Sequence, residues 1–333
     1  MLKNKNTIYI YAGFDSLYYS FYLQGIKDYS EINHYLVKFT GGRFTPQFRS
    51  VFAFQFLGKR IIIDSMDTAA INIEALNWCD IYGKANYSEK HLPDNNNSIV
   101  VPIGPSFGVR MWPLHQALFM AFTNALIAKV PVKNIRRHFA DYYRQYKYRI
   151  PESQYFPGKT NVDYIFFAST IWKNAHQTNH YRKLFVEICK SIEEIHFEGG
   201  FVYRQNYSDG FENLLIDRKY QISDYITKVK QSLVGFSTPA AKDCHGWKLG
   251  EYLALGKAVI STPLTRKMPE TLIHGKHIHF VDGSKESICD AIRTIRGNPN
   301  YRTRLENNAR QYYLNYLAPE CVIERLLRLP ALQ

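Results

Sequence analysis

Paired cysteines are missing from this 333-residue chain: Cys79, Cys189, Cys244, Cys289 and Cys321 are scattered and never form a C-x-x-C unit. An odd, dispersed set excludes a disulfide framework and suits a reduced compartment. Long hydrophobic runs are missing as well. The most apolar segment, residues 114–128, is interrupted by His115, Gln116, Thr123 and Asn124, which leaves it too short and too polar to span a bilayer. Residues 112–129 read instead as a buried helix. The opening MLKNKNTIYIYAGF has too short an apolar run for a signal peptide. The expectation is a cytoplasmic protein, soluble or peripheral on the inner face of the cell membrane. The first strand and its glycine turn lack G-x-G-x-x-G spacing, so no nicotinamide or flavin site is read there and no bound cofactor is expected.

Acidic residues are in short supply, 29 against 42 Lys and Arg, for a net charge of +13. Residues 1–150 hold 18 basic and 10 acidic side chains, so the N-terminal half is the more basic one. Such a balance points to a polyanionic partner: nucleic acid, an anionic membrane or a phosphorylated small molecule. With 46% hydrophobic and 21% charged residues the composition is globular, and the length has room for two domains, each with its own core.

What is present is organised around residues 232–262, SLVGFSTPAAKDCHGWKLGEYLALGKAVIST. Residues 232–236 form a short apolar run with β-formers, 238–245 a loop marked by Pro239, and 246–255 have helical spacing, with Leu249 and Leu253 four apart. Gly256 sits where a helix C-terminal glycine belongs, and AVIS supplies a second strand. Strand, loop, helix and strand make one parallel βαβ unit, whose loop lies where ligands bind in open α/β sheets. Gly246 lets the chain approach a ligand, and the free N–H groups of the helix start favour an anion. Lys248 in the first turn opposes the helix dipole, a misfit that a phosphate would remove. Glu251 offers a carboxylate to sugar or ribose hydroxyls. An ordinary crossover with a surface lysine accounts for the same spacing.

Asp243, seven residues, Glu251 and then YLALGKAVISTPL resemble the donor-binding motif of GT-B glycosyltransferases, whose retaining branch carries Glu, seven residues and a second Glu. The downstream MPETLIHGKHIHFVDGSKESICDAIRTI is similar in its order of glycine turn, strand, Asp-Gly turn and helix, and the likeness covers about residues 232–316. The departure is Asp243 in place of the first Glu. The resemblance implies an α/β protein of GT-B type, two Rossmann-like domains facing an interdomain cleft. It implies an acceptor-binding domain over 1–155, a nucleotide-sugar donor-binding domain over 156–317, and a last helix, 318–333, packing back on the first domain. The chain has no D-x-D triplet, by which many GT-A enzymes hold their metal, and this favours a metal-independent GT-B reaction.

Elsewhere the residues leave alternatives open. Gly13, Phe14 and Asp15 follow the first strand and by resemblance face the cleft; Asp15 reads as a catalytic base or as a helix N-cap. Asp64 and Asp67 at a strand end suit a metal or a helix cap, and Lys84 reads as exposed. In GPSFGVR, Gly104 and Ser106 suit a phosphate or sugar, or a plain chain reversal. Residues 129–149 hold seven basic residues and one acid, interleaved with aromatics. They read as a surface for anionic lipid or RNA, through Arg136, Arg137, Arg144 and Lys147, or as a solvated helix. Beyond the linker-like 149–161, Lys173 and Arg182 follow the strand 162–170; by resemblance a basic residue here binds the donor diphosphate, and Lys173 is the choice. The His176/His180 pair and the His274, His277, His279 cluster lack the convergent ligands a metal needs, and the last two suit one face of a strand.

The expected reaction is transfer of a sugar from a nucleoside-diphosphate sugar to a hydroxyl of a glycan or lipid-linked acceptor, in surface polysaccharide or glycolipid synthesis. Asp243, Glu251 and Asp15 are the catalytic candidates. Lys173, His245, Gly246, Trp247, Lys248 and Glu251 are the donor-binding ones, and Gly13, Phe14, Gly104 and Ser106 the acceptor-binding ones. A nucleotide-sugar epimerase and a nucleic-acid-binding protein are the competing classes.

Overall fold

The computed structural model describes residues 6–41, 50–93, 99–203 and 210–330. The chain divides into two compact units: Met1–Gln154 with Lys267–Pro269 and Tyr316–Gln333, and Tyr155–Arg266 with Glu270–Asn315. Both are α/β.

In the first unit β1 (Thr7–Tyr11) buries Ile8 and Ile10 and leaves Tyr9 and Tyr11 partly exposed, the period of a strand. Asp15 then caps α1 (Ser16–Ile32), its carboxylate accepting from Leu17 N and Tyr18 N at 3.0 and 3.4 Å. β2 (Leu36–Thr40) follows, and β3 (Phe52–Phe56) joins β4 (Lys59–Asp64) through Leu57 and Gly58, both at positive φ (50° and 87°). Such a turn matches the twist of a two-residue hairpin. After α2 (Ile73–Trp78), β5 (Ile81–Lys84) and β6 (Val100–Pro102) complete a six-stranded sheet in the order β2-β1-β3-β4-β5-β6. The β1–β3 and β3–β4 pairs are antiparallel and the others parallel.

α3 (Leu114–Ile127) and α4 (Val132–Lys147) follow. α3 is not the buried helix that its composition suggests: Phe119, Phe122 and Leu126 are 65%, 55% and 64% exposed. Its alanines, not its large side chains, face the protein.

In the second unit β7 (Tyr164–Thr170), α5 (His176–Ser191), β8 (His196–Val202) and β9 (Leu215–Ile216) form a parallel sheet. The Gly199-Gly200 pair lies within β8 at φ 123° and 142°. α6 (Ile222–Gln231) leads to β10 (Gly235–Ser237), α7 (Trp247–Ala254) and β11 (Val259–Ser261), parallel to β10, with β12 (His279–Phe280) beyond. Leu233 N donates to Tyr164 O at 2.7 Å and Ser232 Oγ accepts from Phe166 N at 3.0 Å, so hydrogen bonding passes from β7 to the segment entering β10. One core runs under both sheets, with Phe185 stacked on Phe236 at 4.3 Å and Phe167 edge-on to both.

α8 (Lys285–Gly297) and α9 (Pro299–Tyr312) close the second unit, and α10 (Pro319–Arg328) belongs to the first. Gly25 of α1 makes room for α10, because a Cβ there would stand 2.2 Å from the Pro319 carbonyl oxygen. Lys59 Nζ donates to the carbonyls of Leu327 and Leu329 at 2.9 and 2.6 Å, satisfying the end of α10.

Candidate functional site

The loop between β10 and α7 is strained. Lys242 and Asp243 both adopt left-handed backbone, φ 60° and 58°, a conformation costing non-glycine residues roughly 1–2 kcal/mol each. Tertiary contacts hold it there: Thr265 Oγ1 donates to Asp243 O at 2.6 Å, Arg266 Nη2 to Lys242 O at 2.8 Å, and Ala240 N to Cys244 O at 2.8 Å. Strain of this kind persists where surrounding structure imposes it, and it clusters at ligand sites. The Asp243 side chain is exposed, whereas Cys244 and His245 are buried.

Gly246 caps α7 with its backbone alone at φ −73°; α7 has no side-chain cap and no acid in its first turn among the described residues. The first N–H groups of such a helix are open to an anion. The fold does not require glycine at 246 on steric grounds, since an added Cβ would meet only Ala240 Cβ at an ordinary 3.7 Å. Trp247 is half-buried at the first position of the helix.

Lys248 points back toward the end of β7. Its Nζ donates to the Ala168 carbonyl at 2.7 Å and to the Tyr225 hydroxyl at 3.0 Å, and lies 4.9 Å from the Tyr225 ring centroid. Its pKa falls to about 8: burial is the main cause, Glu251 opposes it and Arg182 adds to it. Tyr225 in turn donates to Glu251 Oε2 at 3.4 Å, and Glu251 is 9% exposed. Arg182 is 6% exposed, and its Nη1 has no hydrogen-bond partner among the described residues. Burial lowers its pKa to about 10, against the nearby Tyr252, Cys244 and Tyr225. The half-buried Lys248 thus feels one carboxylate, Glu251, and a second cation, the buried Arg182. A buried ion such as Arg182 costs several kcal/mol unless it is paired.

Lys173 is exposed in the turn before α5, ahead of the buried Arg182 on the helix itself. That turn is pinned by reciprocal bonds between Trp172 and Asn179 (3.1 and 2.7 Å), and Thr178 Oγ1 donates to Pro239 O at 2.8 Å, tying α5 to the strained loop. Arg182 and Tyr225 therefore join Lys248 and Glu251. Sequence spacing singled out neither as a partner of that pair: both lie on other helices, and only an inward-facing polar residue on each hints at it.

The first-unit candidates are placed differently. Asp15 is an N-cap. Phe14 is buried edge-on to Phe52 at 5.1 Å, so its ring belongs to the core. Gly13 is buried beside it. Gly104 adopts φ 76°, with space for a Cβ taken by Leu317 at 2.5 Å, and Ser106 is buried beside Tyr22. Lys84, expected to be exposed, is fully buried and pairs with Asp64 at 2.8 Å; Tyr82 OH donates to the same carboxylate oxygen at 2.6 Å. Asp64 is thereby committed to the protein. On α4, Arg136 and Lys147 are exposed, and Arg137 and Arg144 reach Asp141 at 4.0 and 3.5 Å while remaining mostly exposed.

The histidines do not share a strand face. His277 precedes β12 and its Nδ1 accepts from Ile273 N at 3.1 Å, while His279 contacts Tyr301 OH at 2.7 Å; burial pulls His279 down to about 4. Among the described residues no three His, Cys, Asp or Glu side chains are grouped to hold a metal ion.

No protein-family model and no curated protein matches the chain. Among solved structures, a glycosyltransferase from Rickettsia africae ESF-5 aligns at 12% identity and TM-score 0.46, over 92% of this chain and 79% of that one. TarM of S. aureus, solved with UDP, aligns at 10% identity and TM-score 0.46; this chain spans 77% of itself there and 44% of TarM. The C-terminal domain of a group 1 glycosyl transferase, LpcC of Francisella tularensis, aligns at 15% identity and TM-score 0.33, over 49% of this chain and 91% of that domain.

Proposed function

We propose that the protein is a GT-B glycosyltransferase that moves a sugar from a nucleoside-diphosphate sugar to a hydroxyl of a glycan or lipid-linked acceptor. The observation that carries this reading is the gathering of two cations, the buried Arg182 and the half-buried Lys248, with the one carboxylate of Glu251 beside the uncapped start of α7.

In the transfer the bond from the anomeric carbon to the diphosphate breaks, the acceptor oxygen takes its place, and the acceptor's proton passes to the released diphosphate or to solvent water. The departing diphosphate carries the negative charge. Lys248 spends two of its three N–H donors on Ala168 and Tyr225, leaving one for a phosphate oxygen. Arg182 Nη1 and the α7 amides are the further donors, already oriented by the fold. Charge offset by fixed protein groups is the basis for a reaction without a metal ion, which insensitivity to EDTA checks. Glu251, steadied by Tyr225, accepts from ribose or sugar hydroxyls; Asp243 and His245 face the donor sugar, Trp247 flanks it and Lys173 guards the entrance. Gly13, Gly104 and Ser106 mark the acceptor side. Arg136, Arg137, Arg144 and Lys147 are the reading's contact with an anionic membrane.

Purified protein incubated with a panel of UDP-, GDP-, ADP-, dTDP- and CMP-sugars should hydrolyse one class faster than Glu251→Ala does. Equal background rates for both proteins on every donor would sink the reading. An isomerised sugar nucleotide formed without acceptor would replace it with epimerisation.

A further inference from the structure

α3 is built inside out. Ala117, Ala121 and Ala125, at most 8% exposed, line its inner face, while Leu114, Leu118, Phe122 and Leu126, each four residues on, line the outer face at 38–64% exposure. Phe119 widens that face and is 65% exposed. A water-facing helix normally turns its large apolar side chains inward, and a contiguous exposed apolar stripe marks an interaction surface.

The orientation is enforced. Asn124 on the inner face donates to Tyr142 OH at 2.8 Å, and the His138 ring bonds the Ala121 carbonyl at 2.9 Å, both buried. Rotating α3 to hide its leucines would break these bonds. α4, locked to it this way, exposes Lys133, Arg136, Arg137, Arg144 and Lys147. No acidic residue occurs between Asp94 and Asp141, so nothing in the sequence of this hairpin repels a negatively charged surface until Asp141, which is itself buried against arginines.

We propose that the outer face of α3 inserts into the headgroup–acyl boundary of an anionic bilayer, with the basic side chains of α4 meeting the lipid phosphates. α3 supplies the apolar insertion and α4 the electrostatic attraction, the two components by which interfacial helices bind. No helix among the described residues is long and apolar enough to cross a membrane, and a helix lying in the interface needs no such length. The inference deepens the membrane part of the reading above and does not rest on the donor chemistry.

The test is flotation of the full chain with phosphatidylcholine vesicles, with and without phosphatidylglycerol. Wild type should float with the anionic vesicles only. Phe119→Ser/Phe122→Ser should bind at least tenfold more weakly at low salt; because both side chains are exposed, its fold and nucleotide binding should be unchanged. Replacing Arg136, Arg137, Arg144 and Lys147 with Gln should remove the salt-sensitive part of the binding. Flotation of the serine variant at wild-type level overturns insertion while leaving a purely electrostatic contact. Failure of wild type to float overturns it outright, and a dimer that the serine pair dissociates would show that a second copy covers the face. Donor hydrolysis read in the same samples separates failure here from failure of the glycosyltransferase reading.

Discussion

Each unit sets a lysine and a carboxylate near the ends of parallel strands, and the two arrangements differ in what they leave over. In the first unit Lys84, on β5, meets Asp64, on the neighbouring β4, at 2.8 Å, and both are essentially inaccessible. The charges match one to one, with Tyr82 adding a bond to the same carboxylate. In the second unit Lys248 and Arg182 outnumber Glu251, and one guanidinium nitrogen is buried without a partner among the described residues. A closed pair holds a fold together; an open excess of one sign is a place for a ligand of the other sign.

The sharpest way to break this comparison is to remove each lysine. Lys84→Met leaves Asp64 buried without its cation and should cost about 3–5 kcal/mol of stability, seen as an early transition in urea. Lys84→Met/Asp64→Leu should recover most of that loss. Lys248→Met should cost less than about 1 kcal/mol of stability, because it relieves repulsion with Arg182, yet weaken nucleoside-diphosphate binding ~10–100-fold through loss of a charge-assisted bond. Equal stability losses for the two lysines would erase the distinction.

A smaller effect is expected at Gly235, where an added Cβ would stand 2.7 Å from the Tyr252 ring. Gly235→Ala should destabilise the second unit by about 1–3 kcal/mol through overpacking, measured by thermal unfolding. Next comes pH. Burial lowers the Lys248 pKa from 10.5 to about 8. Bound diphosphate favours the charged form, so binding takes up a proton, and affinity should fall as pH rises above 8 and lose that slope in Lys248→Met. Stability runs the other way: between 8 and 10.5 the unfolded lysine binds more protons than the folded one, so this group's contribution rises with pH across that window. Calorimetric titrations at pH 7, 8 and 9 read the first effect and urea midpoints the second. The smallest change is Lys242→Gly, which relieves left-handed backbone and should raise stability by at most about 1 kcal/mol.

How far the sequence reveals these features depends on how locally they are encoded. Gly256 marks its turn because a positive φ favours glycine. The βαβ unit over 232–262 is legible because Pro239 and Gly256 bound short apolar runs, although β10 begins only at Gly235. The burial of Lys84 is not legible, since its partner lies on another strand and charge alone reads as surface. Arg182 and Tyr225 reach the candidate site from separate helices, which no spacing rule connects. On α3 both faces are apolar, and the preference for burying large side chains selects the wrong one, because the alanines make the tight contact. Tertiary pairing decides in each of these cases.

The central claim is that the open charge in the second unit binds a nucleoside diphosphate. Calorimetric titration of UDP, GDP, ADP and dTDP into wild type and Arg182→Gln tests it most directly. One of the four should bind wild type and bind the variant at least tenfold more weakly, while its parent nucleoside, lacking phosphates, shows no such difference. If none binds wild type, or the best ligand binds both proteins equally, the cations at Arg182 and Lys248 are structural and the account is wrong.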